Sequence, residues 1–149
     1  MTIDENRVQG LDGWVRFFET LDHAALDRLP ELTTAEVRFR DPFNDCRGRD
    51  ELRAVLAHTL EGCRDLRFTV THRLLAEDLA ILRWRFAATL PVVGRVDTIG
   101  TSEVRQAADG RVSEHVDHWD AGEQIYLRLP LLGAPLRAIR RRLGRFPPG

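Results

Sequence analysis

Apolar and polar positions repeat with two different periods along this chain, and the change of period falls near Gly62. From about residue 7 to 21 the side chains Val8, Leu11, Trp14, Val15, Phe18 and Leu21 recur at helical spacing, which predicts an amphipathic first helix. A second, short helix is expected over residues 24–32, interrupted or bent near Pro30. The stretch Val37-Arg38-Phe39-Arg40-Asp41-Pro42-Phe43 alternates with period two, the mark of a short strand with one buried face. Pro42 forces Asp41 into an extended conformation and ends the pairing there. Residues 44–48 carry turn chemistry, and residues 50–60 form a third helix. That helix has acids at its start, Leu52, Val55, Leu56 and Leu60 on one side, and Gly62 as its stop.

Beyond Gly62 the pattern turns to strands, over residues 66–76, 79–90, 96–107 and 111–120. Glu77-Asp78 and Ala108-Asp109-Gly110 read as tight connections, and residues 91–95 as a looser one. Helices, one strand, a helix and then an antiparallel meander make an α+β order. The last segment differs again. Ile125, Leu129, Leu132, Leu136, Ile139 and Leu143 recur at roughly helical intervals broken by Pro130, Gly133 and Pro135. The chain thus divides into a sheet domain over 1–120 and an arginine-rich helical extension over 121–149.

Composition narrows the function classes. With 149 residues, 43% hydrophobic and 30% charged, the chain suits one domain with a real core. No apolar run approaches the roughly 20 residues of a membrane span, and the acidic first residues are unlike a signal peptide, so a cytoplasmic location is expected. Cys46 and Cys63 are too few and too isolated for a disulfide framework or a zinc site, and are read as free thiols. The histidines show no paired metal-ligand spacing. All 22 basic residues are arginine, a bias of coding composition more than of phosphate recognition. The net charge of −1 hides an asymmetry: residues 121–149 carry +5 and the rest −6. A basic amphipathic tail can rest on an anionic membrane, but its prolines shorten the helix, so packing on the protein itself is the favoured reading. Nucleic-acid binding is not expected of an acidic body without aromatic-basic interleaving.

Candidate chemistry gathers on a few strand positions. Residues two apart share a strand face, so His115, Asp117 and Trp119 point one way and Glu114, Val116 and His118 the other. A histidine and an aspartate on one face can act as an oriented acid or base, or simply be a structural polar pair. Trp84 and Phe86 share a face, as do Phe68 and Val70, and such a set can wall a cavity or fill an ordinary core. Asp41, at a strand end beside Phe39 and Phe43, suits a proton-abstracting base or a plain turn carboxylate.

The order of elements and the acid-proline step resemble the NTF2-like superfamily, and more narrowly its SnoaL-like and ketosteroid-isomerase-like branch. The resemblance rests on Phe17-Phe18-Glu19-Thr20-Leu21, Leu26-Asp27-Arg28-Leu29 and Val37 to Pro42, and at the far end on 109–115 and 117–120. It implies a curved antiparallel sheet around a cone-shaped pocket covered by helices, a small hydrophobic ligand, homodimers through the outer sheet face, and no metal or organic cofactor. It implies Asp41 as the general base, with His115 and Asp117 on the pocket side, and Phe17, Phe43, Trp84, Phe86, Glu103 and Trp119 against the ligand. Burial in an apolar cavity raises a carboxylate towards neutrality, and ketosteroid isomerase is itself a known instance of such tuning, so that logic comes with the resemblance. This chain departs from the isomerases at the oxyanion donors. Phe17 stands where they have a tyrosine, and their second donor falls at Ser102 or Glu103. Removing such a donor costs about 3–4 kcal/mol of transition-state stabilisation, so ketosteroid isomerase activity is not expected. The expectation is an isomerase, cyclase or hydrolase working by acid–base chemistry, or else a non-catalytic binding or accessory domain.

Overall fold

The computed structural model describes residues 4–146. Helix α1 (Glu5–Glu19) begins where the Asp4 side chain accepts from the Asn6 amide at 2.9 Å, capping one of the free donors of the first turn. It ends at Thr20, whose amide and hydroxyl both bond the Arg16 carbonyl. One face of α1 buries Leu11, Trp14, Val15, Phe17 and Phe18. A 3₁₀ turn (Ala25–Arg28) then runs into the single-turn helix α2 (Leu29–Leu32), with Pro30 in its first turn, where the missing N–H costs nothing.

Strand β1 (Thr33–Arg40) starts four residues earlier than the alternation of 37–43 indicates. The short strand β2 (Asp45–Arg47) follows, then helix α3 (Arg49–Gly62). Strands β3 (Arg64–Ala76), β4 (Leu79–Leu90), β5 (Gly94–Gln106) and β6 (Val112–His118) form the meander, each antiparallel to the next. β2 is a correction to the sequence reading, which takes residues 44–48 as a turn only. Three residues give too short an alternation to stand out, and the pairing Phe39↔Cys46 reveals them.

The sheet order is β2-β1-β6-β5-β4-β3, with β1 parallel to β6 and every other pair antiparallel. Its edges are not joined to each other, so the sheet curves without closing. Helices α1 and α3 pack against the concave face, and the core of Trp14, Phe17, Leu26, Leu29, Val37, Leu52 and Leu82 fills the space between. Along β5 the burial alternates strictly. Val96, Thr98, Gly100, Ser102, Val104 and Gln106 face inwards, and Asp97, Ile99, Thr101, Glu103 and Arg105 face out.

Two glycines permit close approach. Gly110, at φ +84°, turns the chain between β5 and β6 under α1, where Gln106 Nε2 donates to the carbonyls of both Arg7 (2.9 Å) and Gly110 (2.8 Å). Gly100 has no side chain because the Trp84 indole lies across it, and any Cβ there would collide with the ring.

The outer face is tiled with charge: Arg85 grips Asp97 through two bonds of 2.7 and 2.6 Å, and Arg38 does the same to Asp45 at 3.0 and 2.9 Å. These guanidinium contacts hold both carboxyls below their usual range. After β6 come α4 (Ala121–Gln124), a 3₁₀ turn (Tyr126–Arg128) and α5 (Gly133–Leu143). Arg128 donates to the Arg95 carbonyl at 2.6 Å and Arg137 to the Leu127 carbonyl at 2.6 Å, which ties this segment to the sheet and to itself. Leu143 and Phe146 remain exposed.

Candidate functional site

Between the concave sheet face and the helices lies a cavity of about 370 Å³. Phe18 and Leu21 bound it from the α1 side and Val55, Leu56 and Thr59 from α3. The sheet contributes Phe68, Trp84, Phe86, Thr98 and Asp117. Phe43, Trp119 and Ile125 also line it, and Phe43 makes edge contacts with both Trp119 (5.7 Å) and Tyr126 (6.2 Å). This size and apolar lining match a small-molecule site.

The polar centre of the cavity is Asp117, with 14% of its side chain exposed. Two hydrogen-bond relays converge on its Oδ1, and their directions are fixed because an indole N–H can only donate. Trp14 Nε1 donates to His115 Nδ1 at 2.9 Å, so His115 carries its proton on Nε2, which donates to Asp117 Oδ1 at 2.7 Å. Trp84 Nε1 donates to Ser102 Oγ at 2.7 Å, and that hydroxyl donates to the same Oδ1 at 2.5 Å. Among the described residues nothing donates to Asp117 Oδ2. The carboxylate is therefore anchored through one oxygen and free at the other.

His115 plays a different part from the one its place on the strand suggests. It is 1% exposed, packs against Trp14, Phe18 and Phe39, and does not line the cavity. Its Nδ1 lone pair holds the indole proton and its Nε2 already bears hydrogen, so neither nitrogen is open to a ligand. It positions Asp117.

Asp41 lines the cavity but spends its carboxylate on its own turn. Oδ1 accepts from the amides of Phe43 and Asn44, both at 2.7 Å, and the Asn44 side-chain amide spans both oxygens at 3.0 Å. Asp41 N in turn donates to the Asn44 carbonyl at 2.9 Å. Asp41 and Asp117 thus both line the cavity, while His115 is bonded to Asp117 and lies off the lining. Asp41→Ala is expected to lower the unfolding free energy by about 1–2 kcal/mol, with Asp41→Asn losing less because it keeps an acceptor for the turn amides. Urea unfolding of both variants measures this. Normal stability with lost ligand chemistry would instead return Asp41 to the role of base.

Phe43, Trp84, Phe86 and Trp119 lie on the cavity, and two other positions differ from expectation. Phe17 is wholly buried and stacked on Trp14 at 5.1 Å, so α1 presents Phe18 to the cavity instead. Glu103 is on the outer face, 3.1 Å from His118 Nε2, and Ser102 takes the inward place. Phe68, read from the sequence as either cavity wall or core, lies on the lining, whereas Phe18 and Thr98 were missed as lining residues. Phe18 stood in the apolar pattern of its helix, but nothing in that pattern separates a cavity wall from plain core. Burial pushes the Cys46 and Cys63 thiols up, Glu51 adding to the effect at Cys46, so both are poor nucleophiles at neutral pH. Among the described residues no three His, Cys, Asp or Glu side chains gather as a metal site. No helix among them is long and apolar enough to cross a membrane.

A half-open curved sheet wrapped with helices around an apolar cavity is the NTF2-like fold, and solved structures with it superpose over most of the chain. One assigned as a SnoaL-like polyketide cyclase, from Jannaschia sp. CCS1, is 18% identical with a TM-score of 0.72, covering 91% of this chain and 99% of its own. TsrD from Streptomyces laurentii is 21% identical with a TM-score of 0.67, covering 88% and 100%. A protein with a ketosteroid isomerase-like fold from Catenulispora acidiphila, in complex with trimethylamine, is 15% identical with a TM-score of 0.68, covering 87% and 96%. Residues 14–115 match the SnoaL-like domain, well over half of the sequence, and the chain belongs to that family. No curated protein sequence matches it significantly.

Proposed function

We propose that this protein is a cofactor-independent acid–base catalyst, an isomerase or cyclase acting on a small hydrophobic carbonyl compound. The observation that carries this reading is Asp117, a lining residue of an apolar cavity held at Oδ1 by two relays and left without a protein donor at Oδ2. Oδ2 takes a proton from the carbon beside the carbonyl, and the C–H electrons pass to the carbonyl oxygen as an enolate. In an unsaturated ketone the resulting dienolate takes the proton back from Asp117 at its γ-carbon. In a dicarbonyl substrate the enolate carbon attacks the second carbonyl to close a ring, and the alkoxide so formed takes the proton back from Asp117. His115 and Ser102 hold the base in place, so little reorganisation accompanies the transfer. Trp84, Phe86 and Trp119 supply the apolar walls that keep the substrate and exclude water. The SnoaL-like relatives, and the trimethylamine held by the Catenulispora protein, support a small-molecule cavity in this fold.

The second reading, a binding domain without turnover, draws on the buried Phe17, which offers no hydrogen bond to an enolate oxygen. Deuterium exchange separates the two. A panel of hydrophobic ketones is incubated with the protein in D₂O and followed by proton NMR, with binding followed by tryptophan fluorescence. Exchange at the α-carbon above the buffer rate is the expected result. Ketones that bind in the cavity without exchange would leave the binding reading alone standing.

A further inference from the structure

The charge of the cavity lining specifies the ligand more narrowly than its apolar character does. All 22 basic residues of the chain are arginine, and none of them lines the cavity. The lining holds seven aromatic side chains and, as formal charges, the carboxylates of Asp41 and Asp117. His58 is the one other titratable lining group among the described residues, and it is exposed. Asp41 and Asp117 differ in what they offer a ligand. Asp41 faces four donated hydrogen bonds from its own turn, whereas Asp117 keeps Oδ2 open.

An anionic ligand would enter this cavity against two like charges with no arginine on the lining to receive it. A cation meets the reverse. Its charge is attracted by both carboxylates and by the negative faces of the aromatic rings, in a site where little water screens either effect. The same asymmetry bears on catalysis. As Asp117 takes a proton, negative charge moves onto the substrate oxygen, and no arginine lines the cavity to meet it there. A positive charge carried by the substrate itself serves that purpose.

We propose that the cavity takes a hydrophobic organic cation, a molecule bearing an ammonium group, seated among the aromatic walls and in the field of Asp117. This rests on reading the cavity as a small-molecule site. Three probes with one phenyl ring and similar length test it on the full chain at neutral pH: benzyltrimethylammonium, 3-phenylpropan-1-ol and 3-phenylpropanoate. Affinities come from isothermal titration and from tryptophan fluorescence. The cation is expected to bind about tenfold more tightly than the alcohol, with the carboxylate weakest. Asp117→Asn is expected to weaken the cation by about tenfold and the alcohol by less than about twofold. An alcohol that binds as well as the cation, a carboxylate that binds most tightly, or a cation indifferent to Asp117→Asn would each overturn the charge assignment. The small-molecule reading survives those outcomes, because the alcohol still binds. If none of the three binds, both fall together.

Discussion

Asp117→Asn is expected to lower the rate of α-proton exchange by about three orders of magnitude while leaving the protein folded. Positioned proton transfer contributes roughly 10²–10⁴ to an enzymatic rate, and Asp117 is the carboxylate on this cavity with an oxygen not taken by the protein. Asparagine keeps an oxygen at the Oδ1 position, so His115 Nε2 and Ser102 Oγ still have an acceptor. What it puts at Oδ2 is an amide, which cannot take a proton. The measurement is single-turnover exchange into a bound ketone, with circular dichroism and thermal unfolding run on the same preparation. Exchange that persists in this variant at the wild-type rate would remove Asp117 as the base, and with it the proposed mechanism.

The second large effect is on stability. His115→Ala is expected to lower the unfolding free energy by about 3–5 kcal/mol, because it empties a fully buried site and orphans a buried indole N–H. Packing against Trp14, Phe18 and Phe39 is lost at the same time. A double-mutant cycle with Trp14→Phe separates the hydrogen bond from the packing. The two substitutions are expected to be less than additive by about 1–2 kcal/mol, since the second cannot break a bond already gone. Urea unfolding of the four proteins reads the coupling. Strict additivity would mean that the Trp14–His115 bond contributes nothing, and the relay would lose its role. A positioning residue also leaves a kinetic trace. In His115→Ala at temperatures where it is folded, binding of a neutral probe is expected to hold while exchange slows.

Several features of this site follow from local pattern alone. A strand turns each side chain opposite to the last, so the shared face of Asp117 and Trp119, and the opposition of Arg83 and Arg85 to Trp84, are legible in the sequence. The amphipathic spacing of α1, the acidic start of α3 and the turn residues between the long strands are legible for the same reason: each depends on neighbours within a few positions. Register is different. Whether Ser102 or Glu103 faces inwards depends on how β5 pairs with β4 and β6, through contacts such as Leu82↔Ser102 and Ser102↔Asp117. A one-residue slip would exchange the two.

By itself the sequence determined the α+β order, which side chains share a strand face, and a small set of acids and aromatics for the site. Only the tertiary structure decided what each of them does. Asp41 becomes a turn carboxylate because the chain after Pro42 curls back and presents its own amides to it. His115 becomes a positioning residue because Trp14, 101 positions earlier, is brought against its ring. Phe17 yields the cavity to Phe18 because the rotation of α1 about its axis is set by what packs on either side of it. Local pattern fixes which way a side chain leaves the backbone. Which partners await it is settled by contacts between residues far apart in the chain, and no short window of sequence contains them.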